Sequence, residues 1–479
     1  MLKTPYIDGK SIDEAGLTFT NVVNPADQVP FSKVVMASPD HMRQAINAAY
    51  LARIEWGKTL PADRERILLK AADMMDAARG EIVDLLIDEA GSTFGKAQFE
   101  VSFTVDMLRC VAGEARRIRG EVVSADVPGM TSWVIRRPLG VVAAITPFNF
   151  PLLLSTKKVS LALAAGNACI LKPAEETSLI GLKIAEIFEK AGLPSGTLNV
   201  VPGDGPTLGP ILFSDARVKL VSFTGSTAIG RLVSTECVKS GKKAILELGG
   251  KSPLVVLKDA DLDYAIDTAS FGVFIHQGQI CMAGSRIIVE APVYEAFLNG
   301  LVAKVQSLKI GDPREPSTVI GPLIREAQCH LISQKIQAAT SSGARVLCGG
   351  TFKKNFYAPT VVADVIPSME IFKEELFGPV AAVTKANDPD HALALANDSS
   401  YGLSSAVLTN DFQLALRFAY ELEAGMVHLN GPTVHDDPRA PFGGVKNSGN
   451  GREGGHWSID ELTEIKWITM QQGRRQYPF

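Results

Sequence analysis

From Val141 to Lys309 the chain alternates short, largely apolar runs with longer segments of helical patterning. Val141-Val-Ala-Ala-Ile-Thr146 has the pattern of a buried strand, and Ala168-Cys-Ile-Leu-Lys172, Thr197–Val201 and Val218–Phe223 read as further strands. Lys157–Ala165 and Ile180–Ala191 between them carry helical spacing, the second stopped by Gly192, and another helix is expected after Gly225. The pattern restarts beyond Gly249-Gly250, with strands Pro253–Leu257 and Arg286–Val289 and helices Asp261–Phe271 and Val293–Lys309. A strand that is apolar at every position must be covered on both faces, and helices between strands join parallel neighbours. The expected fold is therefore α/β, with two doubly wound, mostly parallel sheets. A chain of 479 residues also exceeds the roughly 250–300 at which one core stops growing.

Upstream, Met42–Trp56, Asp63–Ala78 and Glu81–Gly91 read as helices, with Asp40 expected as the N-cap of the first. Arg116–Arg137 is different: charge, Gly and Pro lead into an alternating Thr131-Ser-Trp-Val-Ile-Arg-Arg137. It reads as an extended hairpin leaving the first domain. The tail Glu464–Met470 alternates in the same way. Exposed strands of this kind need a partner, so a homodimer or homotetramer is expected, with 116–137 and 460–479 forming a small β arm. The first domain is expected from 1–115 and 138–248 and the second from 249–450, with the Glu247 turn near their join, a favoured place for a ligand site.

Composition excludes several classes. The net charge of −4 argues against nucleic acid as the main partner, since phosphate binding needs a basic face. Pro, Lys, Gly or Asn break every apolar stretch before the roughly 18–20 residues of a membrane span. The opening Met-Leu-Lys-Thr-Pro-Tyr-Ile-Asp-Gly-Lys has no apolar core of a secretory signal. The cysteines (Cys110, Cys169, Cys237, Cys281, Cys329 and Cys348) form no C-x-x-C pair and are too sparse for a disulfide scaffold, which suits a reducing, cytoplasmic setting. No metal-ligand cluster is expected.

The chemistry concentrates in a few segments. Phe271–Arg286 is apolar up to Ile275, then turns polar and Gly-rich around Cys281. Glu247 stands on the separate turn Leu246-Glu-Leu-Gly-Gly-Lys-Ser-Pro253. A thiol and a carboxylate on two such turns suggest a nucleophile and its base, making a thiohemiacetal or thioester and then hydrolysing it. Asn149, in Thr146-Pro-Phe-Asn-Phe-Pro151, is bracketed by prolines and suits an oxyanion donor, worth about 3–4 kcal/mol in a transition state; the bland reading is a turn whose Asn caps the next helix. Phe223-Thr-Gly-Ser226 is a strand-to-helix turn that can offer N–H groups to a phosphate, though Gly there also serves plain backbone geometry. Lys172 and Glu175 follow a buried strand, where α/β sheets bind ligands. A carboxylate at 175 suits the two hydroxyls of a ribose and repels a 2′-phosphate, favouring NAD over NADP, unless the pair is only a solvated loop. His276 reads as a packing or surface residue.

Five motifs in order, Phe-Thr-Gly-Ser (223–226), Glu-Leu-Gly-Gly-Lys-Ser-Pro (247–253), Gly-Gln-Ile-Cys (278–281), Glu-Glu-Leu-Phe-Gly-Pro-Val (374–380) and Pro-Phe-Gly-Gly-Val-Lys-Asn-Ser-Gly-Asn-Gly-Arg-Glu (441–453), resemble the aldehyde dehydrogenase superfamily over almost the whole chain. The resemblance implies NAD(P)-dependent oxidation of an aldehyde to an acid. Cys281 would be the nucleophile, Asn149 the oxyanion holder, Glu247 the base for thioester hydrolysis, and Lys158 with Glu453 a proton relay. Thr146, Pro147, Lys172, Glu175, Gly203, Phe223, Gly225, Ser226, Leu248, Glu375 and Phe377 would contact the cofactor, NAD with NADP open, making the first domain the cofactor domain and the second the catalytic one.

The run His428–Asp437 is similar to that of the benzaldehyde, vanillin and salicylaldehyde dehydrogenase group, so an aromatic aldehyde is the first expectation and a small aliphatic or hydroxy-aldehyde the alternative. Phe150, Leu153, Lys157, Phe274, Met282 and the 431–440 loop are expected around the substrate, with His435, Asp436, Asp437 and Arg439 read by default as a solvated loop. Glu247 argues against the CoA-acylating relatives, which lack it, and retention of both Cys281 and Glu247 argues against a catalytically silent relative. Glu89-Ala-Gly-Ser-Thr-Phe-Gly95 departs from the Glu-Thr-Gly-Lys-like pattern usual in the family.

Overall fold

The computed structural model describes residues 2–12 and 18–479. Its first sheet runs, from one edge, Gly449–Asn450, Lys243–Glu247, Val218–Thr224, Val141–Ile145, Ala168–Lys172, Leu198–Val200, Tyr6–Ile7 and Lys10–Ser11. The strands from Lys243–Glu247 to Leu198–Val200 are parallel, and the short edge strands join antiparallel. The second sheet runs Arg345–Cys348, Thr360–Ala363, Val380–Ala386, Arg286–Glu290, Pro253–Val256, Ser404–Leu408 and Met426–Leu429. It too is parallel, apart from its first strand.

The two-sided covering expected from the apolar runs is present. Val142, Ala144, Cys169 and Leu171 pack into one buried cluster, and their alternate neighbours Val141, Ala143, Ala168 and Ile170 into another on the opposite face. In the second sheet Val255, Ile288 and Val362 face one core, and Leu254, Val256, Ile287 and Val361 the other. Thr463–Gln471 pairs antiparallel with the whole of Met130–Pro138, which also pairs with Glu121–Val123. Val122, Ile465, Trp467 and Met470 remain exposed on this three-stranded sheet.

Several local expectations are corrected. Ser38, not Asp40, caps the first long helix, Pro39–Lys58: its Oγ accepts from the His41 N–H and its own N–H donates to His41 Nδ1. Asp40 sits in the first turn, paired with Arg43. The helix expected from Lys157 begins at Pro151, where proline's fixed φ suits a first turn. The 249–450 segment does not end in its own sheet, because Gly449–Asn450 pairs with Lys243–Glu247 at the edge of the first. A long helix, Phe94–Glu114, went unread. Ala97, Val101, Thr104, Val105, Leu108, Val111 and Ala112 form its buried stripe, but Lys96, Glu100 and Glu114 are buried on it too and disguise the apolar period.

Candidate active site

The reaction centre forms where the first sheet hands over to the second. Strand Lys243–Glu247 ends at the join, and Leu248–Ser252 leads into Pro253–Val256. The glycines here are demanded by close approach. A Cβ on Gly249 would lie 2.4 Å from Glu375 Oε2, and one on Gly250 2.3 Å from the carbonyl oxygen of Cys281. Gly443, in the Pro-Phe-Gly-Gly turn, likewise stands where a Cβ would lie 2.9 Å from Glu247 Oε1. Bare backbone thus brings Glu247, Cys281 and Glu375 together.

The nucleophile loop is strained. Helix Leu262–Phe274 ends and the chain passes through His276 (φ 50°), Gln277 (φ 56°) and Gly278 (φ 69°), consecutive left-handed residues that cost about 1–2 kcal/mol each where a Cβ is present. Side chains hold the strain in place. Gln277 Nε2 donates to the carbonyls of Pro322 at 2.9 Å and Gly91 at 3.3 Å, and Gln279 Oε1 accepts from Ile324 N–H at 3.0 Å. The chain then delivers Cys281 into an apolar cluster of Ile280, Met282, Ala283, Leu403 and Phe442, flanked by Phe150, Ile275, Met426 and Val434. His276 is buried, its ring edge-on to Phe150, and burial beside the Lys96 charge keeps its pKa well below the usual range. It is the packing residue expected.

Burial, with the charges of Glu375 and Glu247, pushes the Cys281 thiol up to about 12; the N–H groups of Met282 and Cys281 itself pull the other way without overcoming it. Both carboxylate oxygens of Glu247 are buried and lack any hydrogen-bond partner. Burial, reinforced by Glu453, holds this carboxyl well above the ordinary range against the pull of Lys158, Lys157 and Arg452. Next to it lies a satisfied network. Lys158 pairs with Glu453 and donates to Ser222 Oγ at 2.8 Å, and Ser222 donates to Glu453 Oε1 at 3.1 Å. Burial alone would raise Glu453, but Lys158 and Lys157 bring it below the usual value, so neighbouring Glu247 and Glu453 are driven in opposite directions.

Asn149 is buried and does not cap the following helix. Its Nδ2 donates to the Gln279 carbonyl at 2.9 Å, which ties it to the nucleophile loop, and its Oδ1 is buried without a partner. Lys157, expected in the pocket wall, is buried, pairs with Asp436 at 3.1 Å and lies 4.5 Å from the centroid of the Phe442 ring. Asp436 is therefore held in a largely buried ion pair, contrary to the solvated-loop expectation. Arg439 and His435 are exposed, Asp437 pairs with Arg439, and the expectation holds for that part of the loop.

Most of the residues expected at a dinucleotide lie at or just beyond the C-terminal ends of the first sheet's strands, and Glu375 and Phe377 precede strand Val380–Ala386 of the second. Lys172 Nζ meets Glu175 Oε1 at 2.8 Å, and the same oxygen accepts the Gly205 N–H at 2.9 Å. Lys172 and Glu175 thus hold each other, with Glu175 Oε2 left free at a half-exposed side chain. Ser226 is the exposed N-cap of helix Thr227–Lys239, its Oγ facing the Ile229 N–H at 3.4 Å, and Gly225 leaves room for the Phe223 ring, 2.6 Å from where a Cβ would stand. Thr146 is buried and spends its hydroxyl on Ser155 at 2.8 Å, beside the half-buried Pro147. Gly203 stands where a Cβ would press on Leu208, and buried Leu248 fills the space under Gly230. Glu375 Oε1 accepts from Gly250 N–H at 3.1 Å, and burial raises its carboxyl to about 7. Phe377 has φ 50° and meets Phe148 edge-on at 5.9 Å. A helix N-terminus and a carboxylate with one free oxygen beyond the ends of parallel strands fit a dinucleotide.

Two residues of the site were missed. Ser222 bridges Lys158 and Glu453, and its signal was a lone hydroxyl inside an apolar strand. Lys251 is buried, with Ser285 Oγ its only hydrogen-bond partner among the described residues, at 3.2 Å, and burial near Arg286 lowers it to about 7; it was hidden inside a motif read for its glutamate and glycines.

The sequence profile of the aldehyde dehydrogenase family matches residues 12–468, and with a cysteine and a carboxylate meeting at the join of two α/β halves, the chain belongs to that family and is an aldehyde dehydrogenase. It is similar to benzaldehyde dehydrogenase YfmT of Bacillus subtilis (strain 168), at 40% identity over 479 residues covering 100% of this chain and 99% of that one. It is also similar to a benzaldehyde dehydrogenase [NAD(+)] of Pseudomonas putida, at 39% identity over 461 residues, 96% of this chain and 94% of the relative. Among solved structures, that of a salicylaldehyde dehydrogenase from Pseudomonas putida G7 complexed with salicylaldehyde superposes with a TM-score of 0.98 at 34% identity over 100% of both chains.

Proposed function

We propose that this enzyme oxidises an aromatic aldehyde to its carboxylic acid with NAD, through a covalent thioester on Cys281. The observation that carries the reading is Glu247: a buried carboxylate with two unpartnered oxygens, coupled electrostatically to the half-buried Cys281 thiol. A thiol near 12 stays protonated at neutral pH, so it needs a base, and Glu247 has an oxygen free to take its proton. The thiolate attacks the carbonyl carbon. The oxygen takes up the electron pair against the second N–H of Asn149 and the backbone N–H of Cys281. Nicotinamide held beside Glu375 and Phe377 would supply the acceptor for the hydride that leaves this carbon. Once Glu247 has given up the thiol's proton, it takes one from water, whose oxygen attacks the thioester carbon and expels the sulfur as thiolate; the acid leaves and the proton on Glu247 returns to the sulfur. Between the two steps the thiol's proton leaves Glu247 toward the Glu453 carboxylate, which Lys158 and Ser222 hold in place. Glu375 and Phe377 hold the nicotinamide side of the cofactor, and Lys172, Glu175 and the Ser226 turn hold the adenosine side. Thr146, Pro147, Gly203 and Leu248 shape the groove between.

The apolar wall around Cys281 supports the substrate class. Phe150, Ile275, Met282, Val434 and Phe442 present flat and branched apolar surface, which suits an aryl ring. The expected result is NADH formation with benzaldehyde and vanillin well above that with acetaldehyde and glyceraldehyde, without CoA. Activity confined to the aliphatic aldehydes overturns the substrate class, and activity only with CoA overturns the hydrolytic step.

Glu175 sets the cofactor preference in this reading. Glu175→Ala removes the carboxylate that repels a 2′-phosphate and frees Lys172 to meet one. The expected shift in the NAD-to-NADP ratio of kcat/KM is roughly 10–100-fold toward NADP, from removal of a charge contact of about 1.5–3 kcal/mol. An unchanged ratio removes Glu175 from the cofactor site.

The apolar strands of the 121–138 and 463–471 sheet support a homodimer or homotetramer built through this arm, and cysteines that are all free suit a cytoplasmic setting. No helix among the described residues is long and apolar enough to cross a membrane.

A further inference from the structure

Helix Phe94–Glu114 aims a buried ion pair at the segment that carries Asn149. Lys96 Nζ and Glu100 Oε2 are 2.5 Å apart, one turn from each other, with side chains 1% and 0% exposed. Lys96 Nζ also donates to Ser92 Oγ at 3.0 Å and to the backbone carbonyl of Asn149 at 2.8 Å, and it lies 4.3 Å from the centroid of the Phe150 ring. The second oxygen of Glu100 accepts the N–H groups of Leu152 at 2.9 Å and Leu153 at 3.1 Å. These are among the free donors of helix Pro151–Ala164, whose N-cap residue supplies no side-chain cap. One pair of charges therefore grips residues 149–153 at three backbone points and one ring. From the other side, the Asn149 amide is tied to the nucleophile loop through Gln279.

A buried ion pair is weak evidence of a stabilising role, because desolvation of both charges offsets their attraction. Directional hold on a reacting group is a different matter, since a misplacement of about 1 Å in an active site can cost roughly 100-fold in rate. We infer that Lys96 and Glu100 are positioning residues for the oxyanion-holding amide, fixing where Asn149 stands relative to Cys281. This rests on the role given to Asn149 above.

The test is a double-mutant cycle read by rapid mixing. The rate of the NADH burst with NAD and benzaldehyde is measured for Lys96→Met in the parent enzyme and in the Asn149→Ala background. Acylation by 4-nitrophenyl acetate is followed in parallel. There the thiolate attacks the ester carbonyl and expels nitrophenolate, so the same oxyanion develops without hydride transfer or the right aldehyde. The expected result is a loss of about 10–100-fold in the parent and little further loss in Asn149→Ala, the non-additivity of residues that act through one another. Because Lys96→Met leaves Glu100 buried and unpaired, Lys96→Met/Glu100→Gln removes both charges and keeps an acceptor for Leu152 and Leu153. It is expected to melt close to the parent and to show the same burst deficit. An unchanged burst in that double variant overturns the inference, and so do equal fold losses in both backgrounds, which would mark a general structural effect. Parent-like rates in Asn149→Ala itself would instead bring down the role of Asn149, and this inference with it.

Discussion

Cys281→Ala abolishes NADH formation while NAD still binds: that is the largest effect expected of any single substitution here. The sulfur is the only protein atom in the proposed route that bonds to the substrate carbon, and removing a nucleophile from a cooperating set typically costs roughly 10⁴-fold or more. The fold should tolerate the change, because alanine is smaller than cysteine and the side chain is only partly buried. The cofactor groove is built from other residues, so quenching of protein fluorescence by NAD should survive. The measurement pairs NADH formation with NAD titration on the same preparation. Retained turnover would refute the nucleophile, and joint loss of turnover and binding would point to a folding defect.

Glu247→Gln is expected to give a slowed NADH burst and then stall, with steady-state turnover down by roughly 10²–10⁴-fold. Glutamine fills the same space but takes no proton from the thiol or from water. The acyl-enzyme should accumulate and be visible as an aldehyde-derived mass on intact protein. The parent carries a pH signature of the same group. The folded pKa of Glu247 is raised, mainly by burial, so the carboxyl is increasingly protonated, and inactive as a base, as pH falls below that value. Turnover should therefore rise with pH and level off once Glu247 is ionised, and the Gln variant should lose that inflection. An unchanged steady-state rate removes Glu247 as the deacylation base.

What could be read before folding was largely a matter of contrast. The apolar strands stand out because a parallel sheet covered on both faces tolerates almost no polar side chain, so Ala168–Lys172 and Pro253–Val256 announced themselves. Cys281, Glu247 and Asn149 were legible because glycines and prolines punctuate the turns that carry them. Residues that act by contact across long sequence separations were not. Lys96 and Glu100 lie in a helix whose buried charges mask its period, and Asp436 joins Lys157 across 279 positions, a pairing no local pattern encodes. Ser38 was passed over for Asp40 because both residue types favour an N-cap, and only the His41 contact decides between them.

The Gly249-Gly250 handover has a consequence for how the enzyme comes into being. Asn149 and Glu247 are held by the first sheet and its helices, whereas Cys281 and Glu375 hang from the second. Neither half owns a complete reaction centre, and Gly449–Asn450 of the later segment closes the edge of the first sheet beside Glu247. Regain of activity after denaturation therefore reports the meeting of the two halves and not the formation of either sheet alone.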